Sequence, residues 1–541
     1  MATSSENLRR SDAKVIAASA LGTVFEWYDF YLYGLLATII TAQFFSGVDE
    51  TTGFILALAA FAAGFAVRPF GALVFGRVGD LVGRKHAFLV TMTIMGGSTF
   101  AVGLLPNYAT AGVAAPLMLV GLRLLQGLAL GGQYGGAATY VAEHAPEGKR
   151  GFYTSFIQTT ATLGLFAALL VVIGIREVMG EEAFASWGWR LPFFASAILL
   201  GVSLWIRLQL DESPVYKKMK ADGTTSKAPL TEAFGNWRNA RLVLAALLGA
   251  VAGQAVVWYT GQFYALFYLE RILKVEGSTA NVMIALALAI GTPFFVFFGW
   301  LSDKIGRKPI ILAGCALSAV LYFPLFGALT SAANPALAEA TIRSPVVVLA
   351  DPATCSVQFD PVGKSVFDRS SCDIAKGALA KAGVPYTNET IQGDGAIVRI
   401  GGQDVPVGDK ASFDAALPDL LVKSGYPAKP DPERIDHFLV VAILTVLVLL
   451  VTMVYGPIAA LLVELFPSRI RYTAMSLPYH IGNGWFGGFL PAIAFAMVAA
   501  TGNIYAGLWY PIGIATLTVI VGLLFLPETF RRGIDHDEGN T

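Results

Sequence analysis

Residues Gly76–Lys85 read GRVGDLVGRK, and residues Gly299–Lys308 read GWLSDKIGRK. Each is a short charged stretch, punctuated by glycine, between two long apolar runs. Gly76, Asp80, Gly83, Arg84 and Lys85 recur at the same offsets as Gly299, Asp303, Gly306, Arg307 and Lys308. One such loop is within reach of chance. Two in the same setting, 223 residues apart, describe a chain made of two related halves.

The apolar runs set the solvent. Of 541 residues, 55% are hydrophobic and only 14% charged, with a mean hydropathy of +0.61. A soluble domain carries roughly a quarter charged residues, so a large water-soluble enzyme is excluded. Lysine plus arginine and aspartate plus glutamate both number 38, a balance that argues against a nucleic-acid partner. Three cysteines are too few for a disulfide scaffold or a cysteine-rich metal site. The N-terminal MATSSENLRRSDAK runs into a long apolar stretch without a small-residue cleavage site, so it reads as a tail leading into a first membrane helix.

A spanning helix needs about 20 mostly apolar residues. Twelve stretches qualify: 14–42, 52–76, 86–105, 111–142, 151–175, 190–209, 240–269, 278–301, 309–330, 437–462, 472–499 and 504–526. With the N-terminus placed inside, the inside connections carry Arg77, Arg84, Lys85, Lys149, Arg150, the stretch Lys217–Arg241, Lys304, Arg307, Lys308, Arg469 and Arg471. The outside connections carry Asp49 and Glu50, mixed charges at 176–190 and 270–276, and none at 105–111 or 499–503. Positive charge collects inside, which puts both termini in the cytoplasm of a cell whose inner (plasma) membrane the chain crosses.

A second repeat locates an insertion. Glu143-His-Ala-Pro146 with Arg150 aligns with Glu464-Leu-Phe-Pro467 with Arg471, at an offset of 321. The offset grows from 223 to 321, so the second half holds 98 further residues, and the polar stretch Ser331–Asp436 accounts for them. The expected order is a six-helix bundle (1–210), a cytoplasmic linker (211–239), helices 7–9 (240–330), an extracytoplasmic insert (331–436), and helices 10–12 with a short tail (437–541). In the insert, Asp373–Ala382 and Ala411–Val422 read as helices, and Ala396–Val407 as a hairpin turning at Gly401-Gly402. Cys355 and Cys372 both fall there, and an oxidising space favours a disulfide over two free thiols. Cys315 reads as a small core residue.

Ionisable groups inside spanning helices are costly and face a cavity or a partner. In FEWYDFYLY, Glu26 and Asp29 stand three apart on one helical face, with Tyr33 a further turn along. Two buried carboxylates this close cannot both ionise freely, which makes them candidates for proton uptake and release. A static ion pair with a nearby arginine is the alternative. Arg68 and Arg123 are the cationic counterparts, suited to gripping a carboxylate through two parallel hydrogen bonds or to pairing with Asp29. Gly127, Gly131 and Gly135 repeat every four residues, a face for close helix packing. Gln133, Tyr134, Gln158, the stripe Gln254, Trp258 and Gln262, and the pair His480 and Asn483 are the polar cavity-lining candidates. No HExxH, phosphate-binding Gly-Lys-Ser/Thr loop or GxSxG elbow occurs. Without a nucleotide site or cofactor motif, uphill work falls to an ion gradient.

The repeated loops resemble the signature loop of major facilitator superfamily transporters. FEWYDFYLYG (25–34), VRPFGALVFGRVGDLVGRK (67–85), LRLLQGLALGGQYGGAATYVAEHAP (122–146), WGWRLPFF (187–194), DESPVYKK (211–218) and LFPSRIRYTAMSLPYHIGN (465–483) are similar to the metabolite:proton symporter family, whose members carry shikimate, α-ketoglutarate, citrate, proline and betaine. The resemblance implies an all-α membrane protein of twelve helices in two six-helix bundles that rock about a central site; the small α+β insert between helices 9 and 10 falls outside that pattern, although large insertions at this position occur in some relatives. It implies proton coupling near Asp29 and Glu26, with Arg123 taking part. It makes Gly76, Asp80, Gly83, Arg84, Asp303, Gly306 and Arg307 a cytoplasmic gate, whose aspartates pair with arginine or cap helix ends of the opposite bundle. Relatives commonly have GGE where this chain has Gly131-Gly132-Gln133, which puts more weight on the first-helix carboxylates.

The expected activity is proton-coupled symport of a small organic metabolite, foremost a carboxylate such as shikimate or a di- or tricarboxylate, by a functional monomer in the lipid bilayer. Osmolyte symport is the second reading, and a non-transporting sensor that uses the insert is the third.

Overall fold

The computed structural model describes residues 23–25, 27–46, 50–208, 212–356, 370–393 and 395–534. Long helices follow the apolar runs. They are α1 (27–35, continued by Ala37–Phe44), α2 (Glu50–Leu81), α3 (Arg84–Leu104), α4 (Ala114–His144), α5 (Arg150–Met179) and α6 (Leu191–Leu208). In the second half they are α7 (Trp237–Ile272), α8 (Gly277–Ile305), α9 (Arg307–Ala333), α10 (His437–Leu465), α11 (Arg471–Val498) and α12 (Ala506–Phe525). Among the described residues, ten helices are long and apolar enough to cross a membrane. Leu170, Val178, Ile198, Val320, Phe438 and Leu524 stand exposed on them, as contact with lipid requires.

Close packing follows the glycine pattern. A Cβ at Gly127 would collide with the Gly64 carbonyl oxygen, and one at Gly131 with that of Arg68, so the small-residue face of α4 lies directly on the α2 backbone. Helices α7 and α11 contain wide π-type turns at Leu247–Val251, Thr260–Tyr264, Tyr268–Ile272 and Gly482–Gly487. Such turns gather at functional sites, and both helices line the cavity described below.

Ser331–Asp436 divides differently from expectation. Helix α9 runs on to Ala333 and a second helix, Pro335–Arg343, follows it, because Asn334 accepts a hydrogen bond from the Leu337 amide and restarts the helical register. Then come strands β1 (Val346–Ala350), β2 (Thr387–Thr390), β3 (Ala396–Ile400) and β4 (Gln403–Val407), in the order β2-β1-β3-β4. β1 runs parallel to β2 and antiparallel to β3, with Val348 opposite Val398. The β3–β4 turn uses Gly401 and Gly402, both at positive φ (57° and 89°), as a two-residue hairpin demands. Helices Ser371–Ala382 and Lys410–Lys423 bury Leu379, Phe413 and Leu417 with Val348 and Val398. Cys355 and Cys372 form the expected disulfide, with Cα atoms 5.3 Å apart.

This unit is bonded to the second half. Lys274 Nζ donates to the Lys381 carbonyl (2.7 Å), the Tyr386 amide to Gly502 (2.9 Å), Asn388 Nδ2 to Thr501 (2.9 Å), and the Asp436 amide to Ala332 (3.0 Å).

Candidate functional site

The repeated loops build two matching ion-pair networks at one end of the bundle. Asp80 pairs with Arg84 (2.6 Å) and accepts the Thr473 amide (2.9 Å) at the start of α11. Asp303 pairs with Arg307 (2.6 Å) and accepts the Gly151 and Phe152 amides (2.8 Å each) at the start of α5. Each loop aspartate thus pairs with its own arginine and also caps a helix of the opposite half, where the helix dipole favours a carboxylate. Glu143 binds Arg471 at 2.9 Å, and Glu464 binds Arg307 at 3.0 Å and Arg150 at 3.4 Å. The Tyr472 hydroxyl donates to the Gly132 carbonyl.

The mirror extends to residues that the sequence reading passed over. Glu212 accepts the Lys85 amide (3.1 Å) at the start of α3, and Glu528 accepts the Arg307 and Lys308 amides (3.0 and 3.1 Å) at the start of α9. Lys85 Nζ donates to Leu208 O, and Lys308 Nζ to Leu526 O, at the ends of α6 and α12. The Ser213 hydroxyl donates to Glu143, and that of Thr529 to Glu464. Gly83 (φ 133°) and Gly306 (φ 107°) stand where a side chain would be strained, and a Cβ on either would strike Glu212 or Glu528. Gly76 packs on the Thr473 backbone. DESP and PET, each following a long apolar run, are the signal that could have revealed these acids.

Deeper in the bundle, Asp29 is buried and accepts from Thr99 Oγ1 at 2.6 Å. Gln126 Nε2 donates to the same hydroxyl (2.8 Å), and Arg123 Nη1 donates to Gln126 Oε1 (2.7 Å). The Arg123 guanidinium lies over the Tyr33 ring, 3.9 Å from its centroid. Asp29 and Arg123 are thereby joined through two neutral side chains. Neither Thr99 nor Gln126 has a sequence signature, because single threonines and glutamines occur throughout spanning helices.

Two cavities share Arg68, Phe30 and Leu130 as walls. The first encloses about 30 Å³, room for about two waters, and is walled by Trp27, Tyr134, Gln158, Trp258, His480 and Asn483 among others. The second, about 20 Å³, is lined by Asp29, Arg123 and Gln126. Arg68 stacks on Phe65 at 4.3 Å, and its Nε is buried without a hydrogen-bond partner among the described residues. The Trp258 indole nitrogen and both His480 ring nitrogens are in the same condition.

Aromatic rings from the two halves close the first cavity. Tyr134 of α4 and Tyr479 of α11 stack at 3.6 Å, with ring planes 2° apart. Gln158 Nε2 bonds the Tyr134 hydroxyl, and Tyr455 bonds Tyr479. Trp27 of α1 and Trp258 of α7 meet at 5.3 Å.

Other candidates lie elsewhere. Gln254 and Asn483 exchange amide hydrogen bonds of 3.2 and 3.1 Å between α7 and α11; Asn483 reaches the first cavity, and Gln254 is buried behind it. Gln262 and Gln133 are buried away from the walls of both cavities, and the Gln133 amide has no partner among the described residues. Glu26 lies outside the described residues. Among the described residues, no cluster of histidine, cysteine, aspartate and glutamate could hold a metal ion.

Residues 19–349 match the family profile of the Major Facilitator Superfamily, and residues 423–538 match that described as Sugar (and other) transporter. The chain belongs to the major facilitator superfamily. The Alpha-ketoglutarate permease of Escherichia coli is 36% identical over 349 residues, covering 64% of this chain and 78% of that protein. The Proline/betaine transporter of Salmonella typhimurium is 36% identical over 326 residues, 58% of this chain and 64% of that one, just under two thirds of its length. A putative metabolite transport protein of Haemophilus influenzae is 31% identical over 527 residues, 97% of this chain and 96% of the other. The solved structure of the proton:xylose symporter XylE bound to 6-bromo-6-deoxy-D-glucose has a TM-score of 0.64 at 16% identity, covering 97% and 98% of the two chains. The protein is a membrane transporter of this superfamily and not an enzyme.

Proposed function

We propose that this transporter is a symporter that couples the inward movement of protons to the uptake of a small organic carboxylate. The observation that carries this reading is Arg68, a buried guanidinium whose Nε has no partner among the described residues and which walls both cavities. An anion in the first cavity would satisfy Arg68. Asp29 lines the second cavity, so neutralising the arginine would alter the field at the carboxylate. Proton binding and anion binding are then linked through one shared cation. Asp29, with Glu26, takes the proton role; Arg123, held by Gln126 and Tyr33, serves as the positive partner of Asp29; Arg68, Trp258, His480, Gln158 and Asn483 serve the cargo.

The networks around Asp80 and Asp303 are the gate, and their closed form blocks the cytoplasmic end. The lysine and arginine bias of the connections supports cytoplasmic termini, and the disulfide supports an extracytoplasmic insert. The chain works as a monomer whose bundles, 1–210 and 240–541, rock about the cavity, joined by the linker 211–239 and carrying the insert 331–436.

The Alpha-ketoglutarate permease agrees with a carboxylate. The Proline/betaine transporter, together with the aromatic walls, keeps an osmolyte as the second reading, since aromatic rings also hold quaternary ammonium groups. In proteoliposomes with an inward proton gradient, Asp29→Asn should reduce accumulation of the carboxylate to background while leaving counterflow exchange. Full accumulation by this variant removes Asp29 from the coupling role.

A further inference from the structure

We infer that the cargo of the first cavity is a monocarboxylate borne on a flat, unsaturated ring, with the carboxylate on Arg68 and the ring between the aromatic walls. The inference rests on the carboxylate reading above and narrows it.

Among the described residues the walls offer one fixed charge. Among the described lining residues Arg68 is the only arginine or lysine, and no aspartate or glutamate is present. A single guanidinium fork matches one carboxylate. A second carboxylate on the same ligand would be buried without a cation, since Arg123 lines the other cavity and is engaged by Gln126 and Tyr33. A quaternary ammonium would have to share the enclosure with Arg68, with no carboxylate among the described lining residues.

The remaining hydrogen-bond groups are mostly spoken for. Gln158 is bonded to Tyr134, Tyr455 to Tyr479, and Asn483 to Gln254. Arg68 Nε, Trp258 Nε1 and the His480 ring are buried without partners among the described residues, and the Tyr259 and Thr23 hydroxyls also stand in the walls. That set matches the two oxygens of one carboxylate with room for one or two further polar contacts, fewer than a polyhydroxylated body needs.

The apolar walls specify shape. Trp27 and Trp258 come from opposite halves, with centroids 5.3 Å apart and planes tilted by 40°. The cavity in this closed form holds about two waters. A planar ring needs about 3.5 Å on each face, so the rings that close the cavity would have to separate, the indoles by about 2 Å, to admit one. A saturated, puckered ring needs a wider gap and loses the face-to-face contact.

The test is isothermal titration of the purified full-length protein with benzoate, cyclohexanecarboxylate, benzamide, 2-oxoglutarate and glycine betaine, followed by gradient-driven uptake of whichever binds. Benzoate should bind about tenfold tighter than cyclohexanecarboxylate and benzamide. Trp258→Leu should erase most of the first difference, and Arg68→Gln most of the second. Equal affinity for benzoate and cyclohexanecarboxylate, or tighter binding of 2-oxoglutarate, overturns the flat-ring monocarboxylate and leaves carboxylate symport standing. Preference for glycine betaine, or no carboxylate bound by a protein whose near-ultraviolet circular dichroism shows it folded, overturns both.

Discussion

The two halves are near copies at one end of the bundle and unlike in the middle. At the loop end, Asp80, Arg84, Glu143, Glu212 and Ser213 have counterparts in Asp303, Arg307, Glu464, Glu528 and Thr529, with the same types of partner. In the interior, the first half holds Asp29, Arg68, Arg123, Gln126 and Thr99, whereas the second places the neutral pair Gln254 and Asn483 beside the cavity. The ion-pair end is duplicated, whereas the buried charges beside the cavities come from the first half among the described residues. Under the proposed function, the gate would be needed by both halves and the proton and cargo site only once.

That contrast can be broken or sharpened by substitution. Glu143 and Glu464 are fully buried, each against two arginines. Removing the charge of one strands buried cations, so Glu143→Gln and Glu464→Gln should each cost about 3–5 kcal/mol, read from unfolding in mixed detergent micelles. A large difference between the two would break the mirror. The disulfide, which belongs to the insertion and has no first-half counterpart, closes a sequence separation of 17 residues. Replacing both cysteines by serine should cost about 3 kcal/mol, confined to the insert and seen as lost hydrogen-exchange protection in β1 and β3, while uptake continues.

Smaller effects follow. Gly83→Ala and Gly306→Ala force a side chain into positive φ against a glutamate, and each should lower stability by about 1–3 kcal/mol; only matched losses preserve the symmetry. The least effect belongs to the insert surface. There the Arg399 guanidinium, 2.6 Å from Asp404, holds that carboxyl below the usual range. A depressed carboxylate stabilises above its unfolded pKa, and that contribution fades as pH falls through the folded value. Protection of the β3–β4 hairpin should therefore weaken slightly in acid, and Arg399→Gln should remove the difference.

Much of the fold was legible because lipid imposes long apolar helices, and because the Gly-Asp-Gly-Arg-Lys loop was written twice. The hairpin at Gly401-Gly402 announced itself through turn chemistry. β1 and β2 did not: VVVLA is too short to tell strand from helix, and TNET has no apolar face to show. In the site, charge inside apolar helices exposed Asp29, Arg68 and Arg123. Thr99 and Gln126 were missed because a lone hydroxyl or amide is common in such helices. Trp27, Phe30 and Tyr479 were not singled out, since ring stacking between halves leaves no periodic mark along one helix.

The insert's attachment has a practical consequence. Its bonds from Lys381, Tyr386, Asn388 and Asp436 all run to the second half, so any tilt of that half would carry the insert with it like a lever arm. A spin label at exposed Lys410 and another at exposed Val178, near the end of α5, would turn a small tilt between bundles into a measurable change of distance. The appendage gives this transporter a built-in ruler.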